Sequence, residues 1–338
     1  MPKPLIDLVF RKSEPYFNSI ENVFNAVVPH LEQDFNINRI ELPYRTTGVR
    51  AMIKNYQFLK HASKGEVTHV TGHENYVVGA VKGKAVLTLH DINSAFTGAS
   101  RRDRFINKYW FVRPVRKADY VTVISNFSAN ELKERYKVDP AKVQVVSNPV
   151  DDRVKYNKKI FNYDQPTILQ VGTKKNKNLE RVAEALSGVD KAKLLVLGKL
   201  SKKQLEMLNA FDVDFQNKFH VPYDEVLDLY KIADILMFPS LYEGFGMPIL
   251  EAQATGRPVI TSSEAAMPDT AGDGALMVDP RDVEAIRTAV QKLIKDAAYR
   301  EEMVRKGREN TRKYSAEVIA KEYAEIYRRL IGESESVN

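Results

Sequence analysis

The stretch Asp234-Ile235-Leu236-Met237-Phe238-Pro239-Ser240-Leu241-Tyr242-Glu243-Gly244-Phe245-Gly246-Met247-Pro248-Ile249-Leu250-Glu251-Ala252 decides how this chain reads. Its apolar run stops at Pro239, as a strand covered on both faces would. Gly244 and Gly246 permit a tight backbone approach to a ligand. Pro248 suits the first turn of a helix, where its missing N–H costs nothing. Strand, glycine-bearing loop and helix in that order predict one unit of a parallel sheet. Glu243 falls on the loop and Glu251 about one turn inside the helix. Carboxylates accept paired hydrogen bonds from vicinal diols, and the amides at a helix start bind anionic oxygen. Sugar hydroxyls, ribose hydroxyls and phosphate are the matching ligands. A plain turn with Glu251 as a surface helix residue has the same spacing.

Outward from this stretch the same unit recurs. Strands are predicted at Thr167–Val171, Lys193–Leu197, Phe215–Phe219, Pro258–Thr261 and Ala275–Val278, with helices at Asn178–Leu186, Lys202–Asn209, Asp224–Ala233 and Asp282–Lys295. The first half reads alike, with strands at Leu5–Phe10, Ile37–Leu42, Val67–Val70, Ala85–Leu89, Tyr120–Ile124 and Lys142–Val146 and helices including Ser19–His30 and Ser128–Tyr136. Between the halves, the polar run from Asn148 to Asn162, with Pro149, suits a linker. The expected fold class is α/β: two doubly wound, Rossmann-like parallel-sheet domains, residues 1–148 and 149–315. Such sheets bind ligands beyond their carboxyl strand ends, here in a central cleft where the domains face each other.

The loop after Thr167–Val171 reads Gly172-Thr173-Lys174-Lys175-Asn176-Lys177-Asn178 and leads into a helix. A glycine at a strand end, a helix start and several lysines suit a diphosphate. The spacing is not that of a Walker A loop. A polar turn with solvated lysines is the plainer alternative.

Composition narrows the setting. At 338 residues with 43% hydrophobic content, the chain fits about two globular domains. It contains no cysteine, which excludes disulfides and thiolate metal sites and suits a reducing cytoplasm. No run approaches the roughly 18 apolar residues that a membrane span needs, and the N-terminus does not read as a signal peptide. The net charge of +7 is unevenly spread. Residues 1–160 hold 26 Lys/Arg against 16 Asp/Glu, whereas residues 161–338 hold 25 against 28. Within the basic half, Arg101–Lys117 interleaves Arg101, Arg102, Arg104, Lys108, Arg113, Arg116 and Lys117 with Phe105, Tyr109, Trp110 and Phe111. That mixture suits an anionic membrane surface. A helix with aromatics in the core and charges in water is the plainer alternative. No nucleic-acid-binding motif is visible, so nucleic acid is not an expected partner.

Taken with its neighbours, Phe238–Ile260, with Glu243 and Glu251 separated by seven residues, resembles the signature of glycosyltransferase family 4. The resemblance extends to Ile168–Ala185, Leu87–Asp91, Ala118–Ser125, Val145–Asp151 and Ala233–Pro239, in the family's order. It implies a GT-B fold and an enzyme that moves a hexose from a UDP- or GDP-sugar to a glycan or lipid-linked acceptor, with retention, in cell-surface polysaccharide biosynthesis. By the same resemblance, Glu251 binds ribose hydroxyls and Glu243 donor-sugar hydroxyls. The amides of Phe245, Gly246 and Met247 meet sugar or phosphate oxygens. Lys177 neutralises the departing diphosphate, a role of electrostatic stabilisation. Gly172, Thr173 and Lys174 border that phosphate site. Thr173 stands where the family often has arginine, so Lys174 or Lys175 is the expected second cation. His90, in Leu89-His90-Asp91, matches the family's histidine near the transferred sugar; alone it reads as a packing residue. Ser19 makes a good helix cap close to where relatives carry a glycine-rich loop, which suggests a weak donor-phosphate contact.

The resemblance also implies that the helix 316–331 returns to pack on the first domain, although Ala316 replaces a common tryptophan. Asp212-Val213-Asp214 imitates the metal-binding pattern of the other large glycosyltransferase fold, but a lone Asp-x-Asp is commonplace. No metal and no cofactor are expected, since a lysine and a helix start supply the positive charge. The expected place is the cytoplasm, with peripheral contact at the inner membrane face. A nucleotide-sugar epimerase or hydrolase, or a non-catalytic sugar-nucleotide binder, would share much of this plan.

Overall fold

The computed structural model describes residues 2–13, 19–46, 48–92 and 100–332, without the side chains of Ser19, Arg101 and Arg102. The expected roles of these three side chains therefore fall outside the described residues, although Ser19 does open a helix, Ser19–Leu31. The chain divides into two compact units, one formed by Met1–Asp151 with Ser315–Asn338 and the other by Asp152–Tyr314.

The first unit holds strands β1 (Leu5–Phe10), β2 (Asn36–Glu41), β3 (Val67–Val70), β4 (Lys84–Leu89), β5 (Tyr120–Val123) and β6 (Val143–Val145). All are parallel, in the order β2-β1-β3-β4-β5-β6. The order reverses between β1 and β3. Alternate residues feed opposite layers, as the pleat requires. Ile6, Leu8 and Phe10 join the core beneath the Ser19–Leu31 helix, while Val9 joins the core on the other face. Both faces are covered, which is why the strands read as continuous apolar runs.

The helix Ala316–Ile331 completes this unit. Ser315 caps it by accepting from the Val318 amide at 3.3 Å, and Ile319, Tyr323, Ile326 and Tyr327 are buried in the layer that contains Phe24 and Phe35. Tyr327 Oη lies 2.7 Å from His69 Nδ1, and His69 Nε2 lies 2.7 Å from Thr88 Oγ1. Thr88 in turn meets Thr122 Oγ1 at 2.6 Å. A buried imidazole on β3 is thus tied to the last helix of the chain.

Burial pushes the His69 imidazole down to about 3 and that of His90 to about 4. Both are neutral in the fold, whereas an unfolded histidine titrates near 6.5. Their stabilising effect is complete above that value and is lost as pH falls through 6.5 toward 4 and then 3. His69 is fully buried and contributes a slope of up to about 1.4 kcal/mol per pH unit; His90 keeps part of its surface in solvent and contributes less. Glu74 and Glu322, whose carboxyls burial raises, act in the opposite sense. The difference between wild type and His69→Gln isolates the histidine. The expected result is that wild-type melting temperature falls more steeply than the variant's between pH 6.5 and 4.5. Parallel profiles would sink the assignment.

The second unit holds β7 (Thr167–Val171), β8 (Lys193–Leu197), β9 (Phe215–Lys218), β10 (Ile235–Phe238), β11 (Val259–Ser262) and β12 (Leu276–Val278). Their order is β12-β11-β10-β7-β8-β9, again all parallel. The Rossmann reversal therefore falls between β7 and β10. Ile168, Leu194, Ile235 and Met237 face one apolar layer, and Leu169, Leu195, Leu236 and Phe238 face the other.

The polar run read as a linker is only partly one. Asn157 donates its amide to Thr255 O, and Asn162 donates its own to Asp234 Oδ1 at 3.1 Å. Lys159 pairs with Asp234 at 3.0 Å. The second half of this run lies on the second unit because the buried Asp234 carboxylate needs partners.

Candidate active site

Two loops leave the sheet where its order reverses: 172–178 after β7 and 239–246 after β10. Backbone and side-chain amides stitch them together. Leu241 N donates to Asn176 O at 2.8 Å, and Asn176 Nδ2 donates to Tyr242 O at 3.0 Å and Glu243 Oε1 at 3.1 Å. Asn178, in the left-handed region at φ 62°, spans Pro239 O and Pro280 O. Asparagine tolerates that conformation better than most residues.

Lys177 ends a short 3₁₀ turn, Lys175–Lys177. Its Nζ lies 2.7 Å from Glu243 Oε1 and 4.6 Å from the centre of the Phe238 ring. Both partners of the pair are mostly buried, with side-chain exposures of 18% and 16%. Gly172 makes this path possible. At φ +91° it would strain any side chain, and a Cβ there would sit 2.9 Å from both Cγ and Cε of Lys177. Thr173 donates its hydroxyl to Lys199 O at 2.8 Å, while Lys174 and Lys175 stay exposed.

Gly246 takes φ +107° and starts the helix Met247–Thr255. The amides at a helix start have no partner within the helix, and their positive end suits anionic oxygen. Phe245 is fixed on one side by Thr270 Oγ1, which donates to its carbonyl at 2.6 Å. Glu251 lies on the buried face of the helix, only 8% exposed, so the surface-residue reading is wrong. Tyr223 Oη donates to its Oε1 at 2.9 Å and Tyr230 Oη to its Oε2 at 2.5 Å. Burial and the Glu251 charge raise the Tyr230 phenol well above its ordinary range, so it stays a donor. A carboxylate has about four acceptor sites, so two phenols orient Glu251 without exhausting its capacity.

The sequence reading missed Tyr223, Tyr230, Asn176 and Asn178. The tyrosines lie seven residues apart, on one face of the helix Tyr223–Ile232. That spacing was available, but nothing in it points to Glu251. Gln170 Oε1 and Ser240 Oγ, at the carboxyl ends of β7 and β10, are buried without a partner among the described residues. The Asp-x-Asp falls elsewhere. Asp212 and Asp214 precede β9, at the amino edge of the sheet, and Asp214 accepts from Gln165 at 3.0 Å. Among the described residues no three His, Asp or Glu side chains gather as metal ligands.

His90 belongs to the first unit, at the end of β4. Its Nε2 lies 2.9 Å from Thr71 O. A carbonyl only accepts, so Nε2 carries the proton and Nδ1 presents a lone pair. Gly72, at φ +124°, leaves room for the ring, because a Cβ there would lie 2.7 Å from His90 Cδ2.

Two parallel-sheet units, the second with a lysine–glutamate pair at its reversal point, define a two-domain α/β protein of the GT-B class. Residues 29–154 match the family described as Glycosyltransferase Family 4, and residues 152–310 match Glycosyl transferases group 1. The chain belongs to this family of glycosyltransferases. It is 35% identical over 111 residues to the O-antigen chain mannosyltransferase B of Escherichia coli, a match that covers 33% of this chain and 29% of that one. The chain thus spans under a third of that relative's length. With a glycosyltransferase of Methanocaldococcus jannaschii it shares 26% identity over 333 residues, covering 93% of this chain and 87% of the relative. Among solved structures, Anabaena HepE in complex with UDP and glucose matches with a TM-score of 0.76 at 13% identity, over 96% of this chain and all of that one.

Proposed function

We propose that the chain transfers a hexose from a UDP- or GDP-linked donor to a glycan or lipid-linked acceptor, with retention and without a metal, in building a cell-surface polysaccharide. The observation that carries this is the direct contact of Lys177 with Glu243 between the two loops at the sheet reversal. A phosphate oxygen that competes for Lys177 frees the Glu243 carboxylate for sugar hydroxyls. The helix start at Gly246 and Met247 adds positive potential beside them. Glu251, held by Tyr223 and Tyr230, takes ribose hydroxyls. As the bond between sugar and phosphate breaks, charge grows on the diphosphate, and Lys177 stabilises it there. Neutral His90 accepts a hydroxyl proton at Nδ1 in a hydrogen bond without adding charge. The mannosyltransferase relative from E. coli and the UDP-bound Anabaena neighbour support the choice of donors.

A thermal-shift series with UDP, GDP, ADP and their glucose and mannose conjugates tests the reading. The matching nucleotide sugar, at a hundredfold excess over its Kd, is expected to stabilise by about 2.7 kcal/mol, with or without EDTA. If no nucleotide sugar shifts the transition, the donor assignment fails; a shift abolished by EDTA removes its metal-free part.

A further inference from the structure

The first unit carries a groove that the donor site does not use, between the helix Val49–Ala62 and the helical stretch from Arg101 to Lys117. Its volume is about 730 Å³. Val49, Ile53 and Tyr56 line one wall and Phe105 and Tyr109 the other. Val49, Ile53 and Phe105 are 57%, 51% and 43% exposed, unusual values for such large apolar groups gathered in one place. On the second wall, Phe105, Tyr109, Arg113 and Lys117 recur every four residues. A π-helical turn, Lys108–Val112, is wider than an α turn and offsets the drift that four-residue steps accumulate in an α-helix. The four side chains therefore stay on the groove side.

The rim is basic. Lys60, Arg113 and Lys117 line the groove, and Arg50 and Lys54 extend the charge along the first helix. Among the described residues none of these five is paired with a carboxylate. Some exposed cations elsewhere in the same unit are paired, as in Lys321–Glu317 at 2.7 Å and Arg328–Asp34 at 2.6 Å. Unpaired cations around exposed aliphatics fit a surface that offers phosphate and hydrocarbon together.

We propose that this face docks on an anionic phospholipid bilayer, with Ile53 and Phe105 entering the headgroup layer and the cations against lipid phosphates. Nucleic acid fits less well, since Val49 and Ile53 cannot stack on bases, and Tyr109 is already flanked by Phe105 at 4.4 Å and Arg113 at 4.5 Å. A peptide seated in the groove would leave Arg50 and Lys54 unmatched, whereas an extended anionic plane meets them too. The docking goes beyond the donor reading and does not depend on it, because its readout is binding and not turnover.

Flotation of the whole chain with phosphatidylglycerol-rich and with pure phosphatidylcholine vesicles tests it. Binding is expected on the anionic vesicles only, weakening as salt rises. Lys60→Gln, Arg113→Gln and Lys117→Gln are each expected to weaken it by about fivefold. Ile53→Ser with Phe105→Ser is expected to abolish flotation while the melting temperature and nucleotide-sugar binding stay unchanged. Lys321→Gln, at a paired cation away from the groove, is the control and is expected to float as wild type. Equal binding to both vesicle types, or flotation indifferent to the groove substitutions, overturns the proposal. So does capture of an acidic amphipathic peptide or of RNA without flotation.

Discussion

Lys177→Ala is expected to lower transfer from a nucleotide sugar by roughly 10²–10³-fold in kcat. The ammonium sits within 2.7 Å of Glu243 and against the Phe238 ring, where little water screens it. A charge so placed stabilises a departing diphosphate far more than one in bulk water. The substitution also strips the mostly buried Glu243 carboxylate of its cation, leaving Asn176 as a remaining donor. Some stability is therefore lost as well. Two measurements separate the effects. If Lys177 acts on the leaving group, kcat falls much further than donor affinity, and it falls at temperatures where the variant is fully folded. A variant that turns over like wild type once folded would remove Lys177 from the chemistry.

Gly172→Ala carries the second large effect, and it changes no charge. The residue holds φ +91°, which an L side chain tolerates poorly, at a cost of about 1–3 kcal/mol. The new methyl group would also meet Lys177 Cγ and Cε at 2.9 Å. The Lys177 chain must move, and a displacement of about 1 Å at a reacting group costs about 10²-fold in rate. The expected variant folds with a lower melting temperature and loses most transfer activity with Lys177 still present. Gly48→Ala provides the comparison, because a Cβ there meets nothing within 4 Å among the described residues. Equal behaviour of the two variants would show that the Lys177 path does not matter.

The parallel sheets were legible because their strands are covered on both faces, so that runs such as Ile235-Leu236-Met237-Phe238 read as unbroken apolar stretches. Lys177 and the two glutamates were legible because glycine, proline and charge sit at local spacings set by one loop and one helix. Tyr223 and Tyr230 were not, since their partner Glu251 lies on a different helix and only packing brings them together. The helix Val49–Ala62 also escaped notice. Half of its apolar side chains face outward, so no clean core stripe marks it. The segment Arg101–Lys117 showed both its faces in sequence. Phe111 is core, stacked on Tyr136 at 5.6 Å, and Phe105 is exposed; the sequence alone could not divide the aromatics between them.

The tie between His69 and Tyr327 sets an order on synthesis. A ribosome delivers β1 to β6 first, yet the layer over Phe24 and Phe35 stays open until residues 316–331 emerge. The second unit, contiguous from Asp152 to Tyr314, has all its strands in hand before then. The strands of the first unit are thus made before those of the second and closed after them, with an apolar flank uncovered in between.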